Sequence, residues 1–479
     1  MQRLYTLISA AVLAALPSLS VAQVPEQLRD AARQAVVSNP EVQARWNAFK
    51  ASEAEQDAVR GAYLPEVDLA AGIGRERLKR PGEDAETYSR RGAVLSLRQM
   101  VYDGFFTRNQ VRHFGHARLV RYHELVDASE SAALESVRAY ADVLRYRELV
   151  ALAKQNYVEH KRVHEQIAER ANAGVGRRVD LEQASGRLAL AESNLLTEVS
   201  NLHDVGTRYL RIVGAVPDET LAALPEVLGR DKLPASVHEA LRTAFTINPA
   251  LYAAVENVRA GQAMVDARRA ANHPRLDLRA HQALDRNLDG VTGNTREGVV
   301  ELVFTYNLYR GGADQARIRQ AAEELNISKD LREKACRDLR QTLSIAYNDS
   351  QRLQEQLTYL DQHQLSIEKA REAYRAQFDI GQRTLLDLLD SENEYFQARR
   401  AYVNARYDLS VAQARTLNGM GSLMSTLDIA RDDMPTPAEL GAEDETIDPA
   451  SICPPDAPLP LEIDKEALFQ AALREAGGR

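Results

Sequence analysis

The chain lacks most of what a large enzyme or a compact globular core is built from. Aromatic residues make up 6% of its 479 positions, with one tryptophan, and there are two cysteines. Cys336 and Cys453 stand far apart without metal-like spacing, and they can pair only if the fold brings them together. So little cysteine is compatible with an oxidising compartment. Beyond the first 22 residues no apolar stretch reaches about 18 residues, which excludes a transmembrane helix. A mature chain placed in a membrane must therefore cross it as a β-barrel. There is no nucleophile elbow, phosphate loop, HExxH or paired CxxC, so an enzyme reading has no residues to stand on, and no cofactor or metal is expected. The net charge of −9 is carried by residues 421–479, which hold 13 acids against 4 bases. The remainder is near neutral and offers no basic footprint for nucleic acid.

What is present is charge-rich and helical in character: charged residues make up 27% of the chain. Residues 1–22 read as a signal peptide, with Arg3, an apolar run from Leu4 to Leu16 and a Ser20-Val21-Ala22 cleavage site. No cysteine follows the run, so no N-terminal lipid anchor is expected.

The chain then repeats itself. Ser38-Asn39-Pro40 recurs as Ile247-Asn248-Pro249, and Tyr63-Leu64-Pro65 as Asn272-His273-Pro274, both at an offset of 209. Downstream the offset is 207, with Tyr102 and Gly104 matching Tyr309 and Gly311, Gly174 matching Gly381, and Asp180-Leu181 matching Asp387-Leu388. This is a tandem duplication. It divides the mature chain into a first repeat at 23–215, a linker at 216–234, a second repeat at 235–420 and an acidic, proline-containing tail at 421–479, with a short helix expected from Lys465 to Glu475.

Each repeat opens with one helix (about 25–61; 235–271), and Pro65 or Pro274 marks the switch out of it. Two segments of period-two alternation follow, about 66–75 with 92–103 and about 275–285 with 298–309. Val300, Leu302, Phe304, Tyr306 and Leu308 alternating with Glu301, Thr305 and Asn307 is the clearest. One apolar and one polar face over about 10 residues suits a membrane barrel strand. Gly104 or Gly311 ends each strand pair. A helical pattern of ~65 residues, roughly 100 Å long, runs on to a glycine turn, and a return helix of about 35 residues comes back. Four strands cannot close a barrel, and an open sheet in lipid leaves unsatisfied edges. Three chains would close twelve strands around an open lumen.

This plan resembles the TolC family of bacterial outer-membrane efflux and secretion ducts. So do the strand exits Tyr102-Asp103-Gly104 and Tyr309-Arg310-Gly311, and most specifically Gly381-Gln382-Arg383-Thr384-Leu385-Leu386-Asp387-Leu388-Leu389-Asp390. The resemblance covers roughly Pro25 to Gly421. It implies a mainly α protein with a membrane β-barrel: a homotrimer with a twelve-stranded barrel in the outer membrane and an α-helical coiled-coil tunnel in the periplasm. It also implies a periplasmic adaptor and an inner-membrane ABC or RND transporter as partners.

Carried over by position, Asp387 and Asp390 match the aspartates that ring the family's periplasmic aperture, where six carboxylates would select by charge and some pKa values would rise. Asp180 and Arg383 match its closure network. Phe378 and Val179 replace hydroxyl-bearing residues of that network, so the latch would rest on Asp180–Arg383, with Arg177 and Arg178 supplying other bridges. The bland reading of Asp387 and Asp390 is a solvated helix face.

The pairs His160/His164 and His113/His116 have metal-like spacing but no third ligand, and read as solvent-facing. Arg75, Arg77, Lys79, Arg80, Arg90 and Arg91 read as a solvated extracellular loop, or as a contact for anionic lipid head groups. Segments 95–99 and 173–192 look most like members serving type I secretion of large adhesins. Small-molecule efflux is the alternative, and a periplasmic coiled-coil scaffold the reading from another class.

Overall fold

A computed structural model describes residues 24–431, 433–441, 453, 454, 456–458, 461 and 463–477. The expected signal peptide and the most acidic part of the tail lie outside the described residues.

The single helix expected at the start of each repeat is two. α1 (Glu26–Ser38) and α2 (Pro40–Arg60) break at Asn39, and α5 (Val237–Ile247) and α6 (Pro249–Arg269) break at Asn248. Proline at the first helical position cannot donate to a preceding turn, and asparagine before it caps the new helix. The Asn39 side chain accepts from the Glu41 amide at 2.9 Å, and the Asn248 side chain from the Leu251 amide at 3.0 Å.

The strands are β1 (Glu66–Leu78), β2 (Glu86–Tyr102), β3 (Arg275–Arg286) and β4 (Asn294–Thr305). They form one antiparallel sheet in the order β1-β2-β3-β4, so β1 and β4 are open edges. β2 starts six residues earlier than expected because Glu86–Arg91 completes the ladder with Ile73–Leu78. β4 runs from 294 to 305 rather than 298 to 309, because β3 supplies partners only from Arg275 to Arg286. Tyr306 and Leu308 therefore continue the alternation without continuing the strand.

Beyond the sheet, α3 (Phe106–Asn172) and α7 (Ala313–Asp379) each run 67 residues, about 100 Å. α4 (Arg178–Val213) and α8 (Leu385–Met420) return. Gly104 at the first exit has φ +71°, and a Cβ there would lie 2.5 Å from the His273 Cβ and 2.9 Å from the Ala270 carbonyl oxygen. Both facts require glycine. At the second exit Gly311 and Gly312 both have positive φ.

Within the helical layer α4 packs on α3, α3 on α8 and α8 on α7. α3 and α8 run antiparallel and are tied by Arg145–Asp408 at 2.6 Å and by Arg406–Glu148. Among the four long helices α4 and α7 are the end members, although α6 and the tail cover part of α7. The main core lies where α1, α2, α5 and α6 pack around the long helices, centred on Leu28, Phe49, Leu125, Tyr140, Leu241 and Leu343. The 216–234 stretch contributes the buried Leu228 to it, whose amide donates to the Gln413 side chain at 2.9 Å. α9 (Leu423–Thr426) ends the ordered return. The tail is held to α7 by a disulfide between Cys336 and Cys453, Cα atoms 5.7 Å apart and both side chains buried. It then follows α7 to α10 (Lys465–Gly477), where the Lys465 ammonium meets Glu355 at 3.2 Å and the Tyr359 hydroxyl at 2.6 Å.

Candidate functional site

The two hairpin tips, where α3 turns into α4 and α7 into α8, are held together by a small apolar core. Val163 and Ile167 of α3, Ala184 of α4, Phe378 of α7 and Leu385, Leu388 and Leu389 of α8 are all buried against one another. Phe378 is thus a packing residue, with the Arg170 guanidinium 5.7 Å from its ring centre. Val179 points the other way and is 65% exposed.

On this core sit the two aspartates, and each has a partner that the sequence reading overlooked. Asp387 is the third residue of α8 and closes a reciprocal cap with Thr384. The Asp387 amide donates to the Thr384 hydroxyl oxygen at 3.2 Å, and the Thr384 amide and hydroxyl donate back to the carboxylate at 3.1 and 2.8 Å. These bonds hold the Asp387 carboxyl below its ordinary range, with the nearby Arg383 charge adding a smaller pull in the same direction. Asp390, one turn on, is bonded by the Arg187 guanidinium of α4. That ion pair joins the second-repeat tip to the first.

The expected closure residues lie close by but are not paired as the sequence suggested. Within the protomer Arg383 donates to the Gln377 side chain at 2.9 Å and stacks on Tyr374, 4.4 Å from its ring centre. Among the described residues Asp180 forms no ion pair, and neither do Arg177 and Arg178. Arg177 occupies the first-repeat cap position that Thr384 fills in the second, so α4 begins without a side-chain cap and Asp180 has no reciprocal hydroxyl. The T-x-x-D spacing could have disclosed the Thr384 cap, whereas the partner of Arg187 lies on the other hairpin.

Farther from the tip a second cluster was not anticipated. Glu392 of α8, 3% exposed, accepts from Arg375 at 2.7 Å and lies 3.6 Å from Arg371, while Arg375 also reaches Glu159 of α3 at 2.7 Å. Burial pushes the Glu392 carboxyl upward, and the two arginines pull against that shift without cancelling it. The chain thus ties three long helices together with buried charge.

The histidines are not solvent-facing as expected. His160 is 4% exposed and bonded to the Asn156 carbonyl at 2.8 Å, and His164 meets Ser185 of α4 at 3.2 Å. His113 meets the Ala260 carbonyl at 2.9 Å, and His116 meets Glu256 at 2.8 Å. Each ring bridges to a neighbouring element or to its own helix rather than to its sequence partner.

Pro65 and Pro274 stand immediately before β1 and β3, each after a short 3-10 turn. No described helix is long and apolar enough to cross a membrane. The sheet has the opposite character: Val67, Leu69, Ile73, Val300, Leu302 and Phe304 are exposed on one face. Asp277 is 1% exposed on the other face, where Arg275 and Arg98 donate to it at 3.0 and 3.3 Å.

Comparison with known proteins agrees with this geometry. The family described as Outer membrane efflux protein matches residues 31–204 and 240–422. Outer membrane protein TolC of Escherichia coli (strain K12) is 23% identical over 435 residues, 88% of this chain and 87% of that one. Alkaline protease secretion protein AprF of Pseudomonas aeruginosa is 26% identical over 407 residues, covering 81% and 83%. The CmeC outer membrane channel of Campylobacter jejuni has the same fold, with a TM-score of 0.75, 14% identity and coverage of 93% of this chain and 98% of that one. The chain belongs to the outer membrane efflux protein family, with its sheet at the outer membrane and its long helices in the periplasm.

Proposed function

We propose that three copies of this chain form the exit duct of a tripartite export system, a passive channel gated at the hairpin tips. The observation that carries this reading is the matched pair of open edges. The sheet ends in β1 and β4 and the helical layer in α4 and α7, so one closure by further copies satisfies both layers. In that arrangement Asp387 and Asp390 ring the aperture. The Asp390–Arg187 pair joins the protomer's own tips, and we assign Asp180 and Arg383 to contacts between neighbouring copies. Energy comes from outside the chain, through a periplasmic adaptor and an inner-membrane transporter of the ABC or RND type.

The cargo we favour is a large protein, such as an adhesin, exported by type I secretion. Its support is the segments at 95–99 and 173–192 and the likeness to a relative whose name is a secretion function. Deleting the gene and measuring surface adhesin beside drug sensitivity tests it. Loss of the surface protein with unchanged drug sensitivity is expected. Drug hypersensitivity with normal surface protein would instead assign the duct to small-molecule efflux. Recovery as a soluble monomeric periplasmic protein would sink the duct reading in favour of a scaffold.

A further inference from the structure

The strand register sorts every side chain of the sheet onto one of two faces. Directly paired residues of antiparallel strands share a face, and successive residues alternate. One row therefore holds Val67, Leu97, Ala280 and Val300, and another holds Tyr102, Leu276 and Phe304 at the end nearest the helices. Followed toward the loops, the same face passes through Ala71, Ala93 and Leu284 and ends in Arg296, Arg91, Arg286, Arg75 and Arg77. From Leu276 to Leu284 the apolar part spans about 27 Å along β3, or about 20 Å across a bilayer at a ~40° tilt.

The charges are segregated. Among the described strand residues, every acid faces the other way: Glu66, Asp68, Glu76, Glu86, Asp277, Asp285, Glu297 and Glu301 all fall on the opposite side of the register. The five arginines of the apolar face are exposed, and among the described residues none of them makes an ion pair. Arg90, one residue from Arg91 but on the other face, lies 3.7 Å from Glu76. Arg91 and Arg286 are direct register partners, a like-charge juxtaposition that weakens a sheet unless an anion lies between them. Arg296, on β4, follows on the same face beside Leu284.

We propose that this arginine row is a binding belt for phosphate-bearing lipid head groups of the outer leaflet. The height suits it: above the apolar band, arginine is at the head-group level, where its cost on a lipid-facing strand is smallest. The chemistry suits it as well, because guanidinium binds phosphate oxygens two at a time, and adjacent unpaired guanidinium groups on β2, β3 and β4 can share one doubly charged head group. The apolar residues below would contact its acyl chains. The inference rests on the outer-membrane placement of the sheet and is independent of the gate.

The test uses the full-length protein in phosphatidylcholine bilayers doped with fluorescent bisphosphorylated lipid A, or with the same lipid stripped of phosphate. The wild-type protein should enrich the phosphorylated lipid around itself, and enrichment should fall with added salt. Removing one arginine by Arg286→Gln should cost about fivefold in affinity. The triple change of Arg91, Arg286 and Arg296 to glutamine should cost more than tenfold, while the triple lysine variant, which keeps the charge but loses the fork, should fall between it and the wild type. Arg90→Gln, on the luminal face, should change nothing. Equal enrichment of the two lipids, or full retention by the triple glutamine variant, would overturn the proposal. Equally tight binding of inorganic phosphate by the lipid-free protein in detergent would also overturn it, by making the belt a free-anion site.

Discussion

The two aspartates at the tip of α8 have different partners, so neutralising them one at a time should give different channels. Asp387→Asn removes charge from the proposed ring while leaving an oxygen to accept from Thr384, so no link between helices is lost. Asp390→Asn removes the same charge and also dissolves the ion pair to Arg187, which joins α8 to α4. That pair is part-exposed, with side chains 32% and 54% accessible, and so is worth about 0.5 kcal/mol in the screened surface range. Three such pairs, opening together in a trimer, sum to about 1.5 kcal/mol, close to tenfold in the ratio of open to closed channels. In planar bilayers Asp387→Asn should weaken block by multivalent cations at little change in resting conductance. Asp390→Asn should weaken block and also raise resting conductance, and the rise should shrink at high salt. Replacing both with alanine should show the two effects together. A rise in resting conductance from Asp387→Asn with none from Asp390→Asn would refute the division of roles, and no effect from either would refute the aperture itself.

Other groups give equally direct tests. Glu392→Ala should cost about 3 kcal/mol, because it leaves Arg371 without its buried carboxylate and Arg375 with Glu159 alone, and a lowered melting temperature should show it. Glu130 accepts from the Leu423 and Met424 amides, and burial, aided by Asp127, raises its pKa to about 7. A raised carboxyl binds more protons folded than unfolded, so stability should fall as pH rises from about 4.5 to about 7, by up to about 3 kcal/mol. Melts at pH 5 and pH 8 should reveal the slope, and Glu130→Gln should abolish it. Cys453→Ser should release the tail from α7, and limited proteolysis should then cut it from an otherwise intact chain; a tail equally resistant without the disulfide would show that the contacts of Arg340, Arg352 and Lys465 suffice to hold it.

What could be read in the sequence was whatever depends on neighbours along the chain. Period-two alternation located all four strands, and glycines with positive φ bracketed the long helices within a residue or two. Strand ends were misjudged where the limit is set by the partner, as when β4 stops at Thr305 because β3 begins at Arg275. The Asn-Pro pairs stand out in the sequence as repeat markers, and their capping bonds appear in the fold. The site divides in the same way. Asp387 and Asp390 could be singled out from a local pattern, whereas Arg187 lies on the other hairpin, and nothing local distinguishes it from the other arginines of a charged helix. Glu159, Glu392 and Arg375 likewise read as ordinary helix-face charges until the antiparallel contact of α3 with α8 brings them together. The histidines misled for the same reason: their partners Ser185, Ala260 and Glu256 are on other helices.

Closure by three copies can be tested from the sheet alone. β1 and β4 are separated by two strands, so their backbones lie about 14 Å apart in one protomer, beyond the reach of a disulfide. The native cysteines are already paired with each other and supply no competing thiol. A cysteine at Ala71 in β1, combined in turn with one at Val300, Leu302 or Phe304 in β4, can therefore oxidise only between chains, and all four positions lie on the same face of the sheet. In a closed ring each chain is linked to two others and no free edge remains. Non-reducing gels of at least one combination should then show dimers and trimers with nothing larger, the fully oxidised product being a cyclic trimer. Edges that met no partner would give monomers in every combination, and an open arrangement would extend the ladder past three. Either result would remove the geometric reason for placing Asp387 and Asp390 around a common axis.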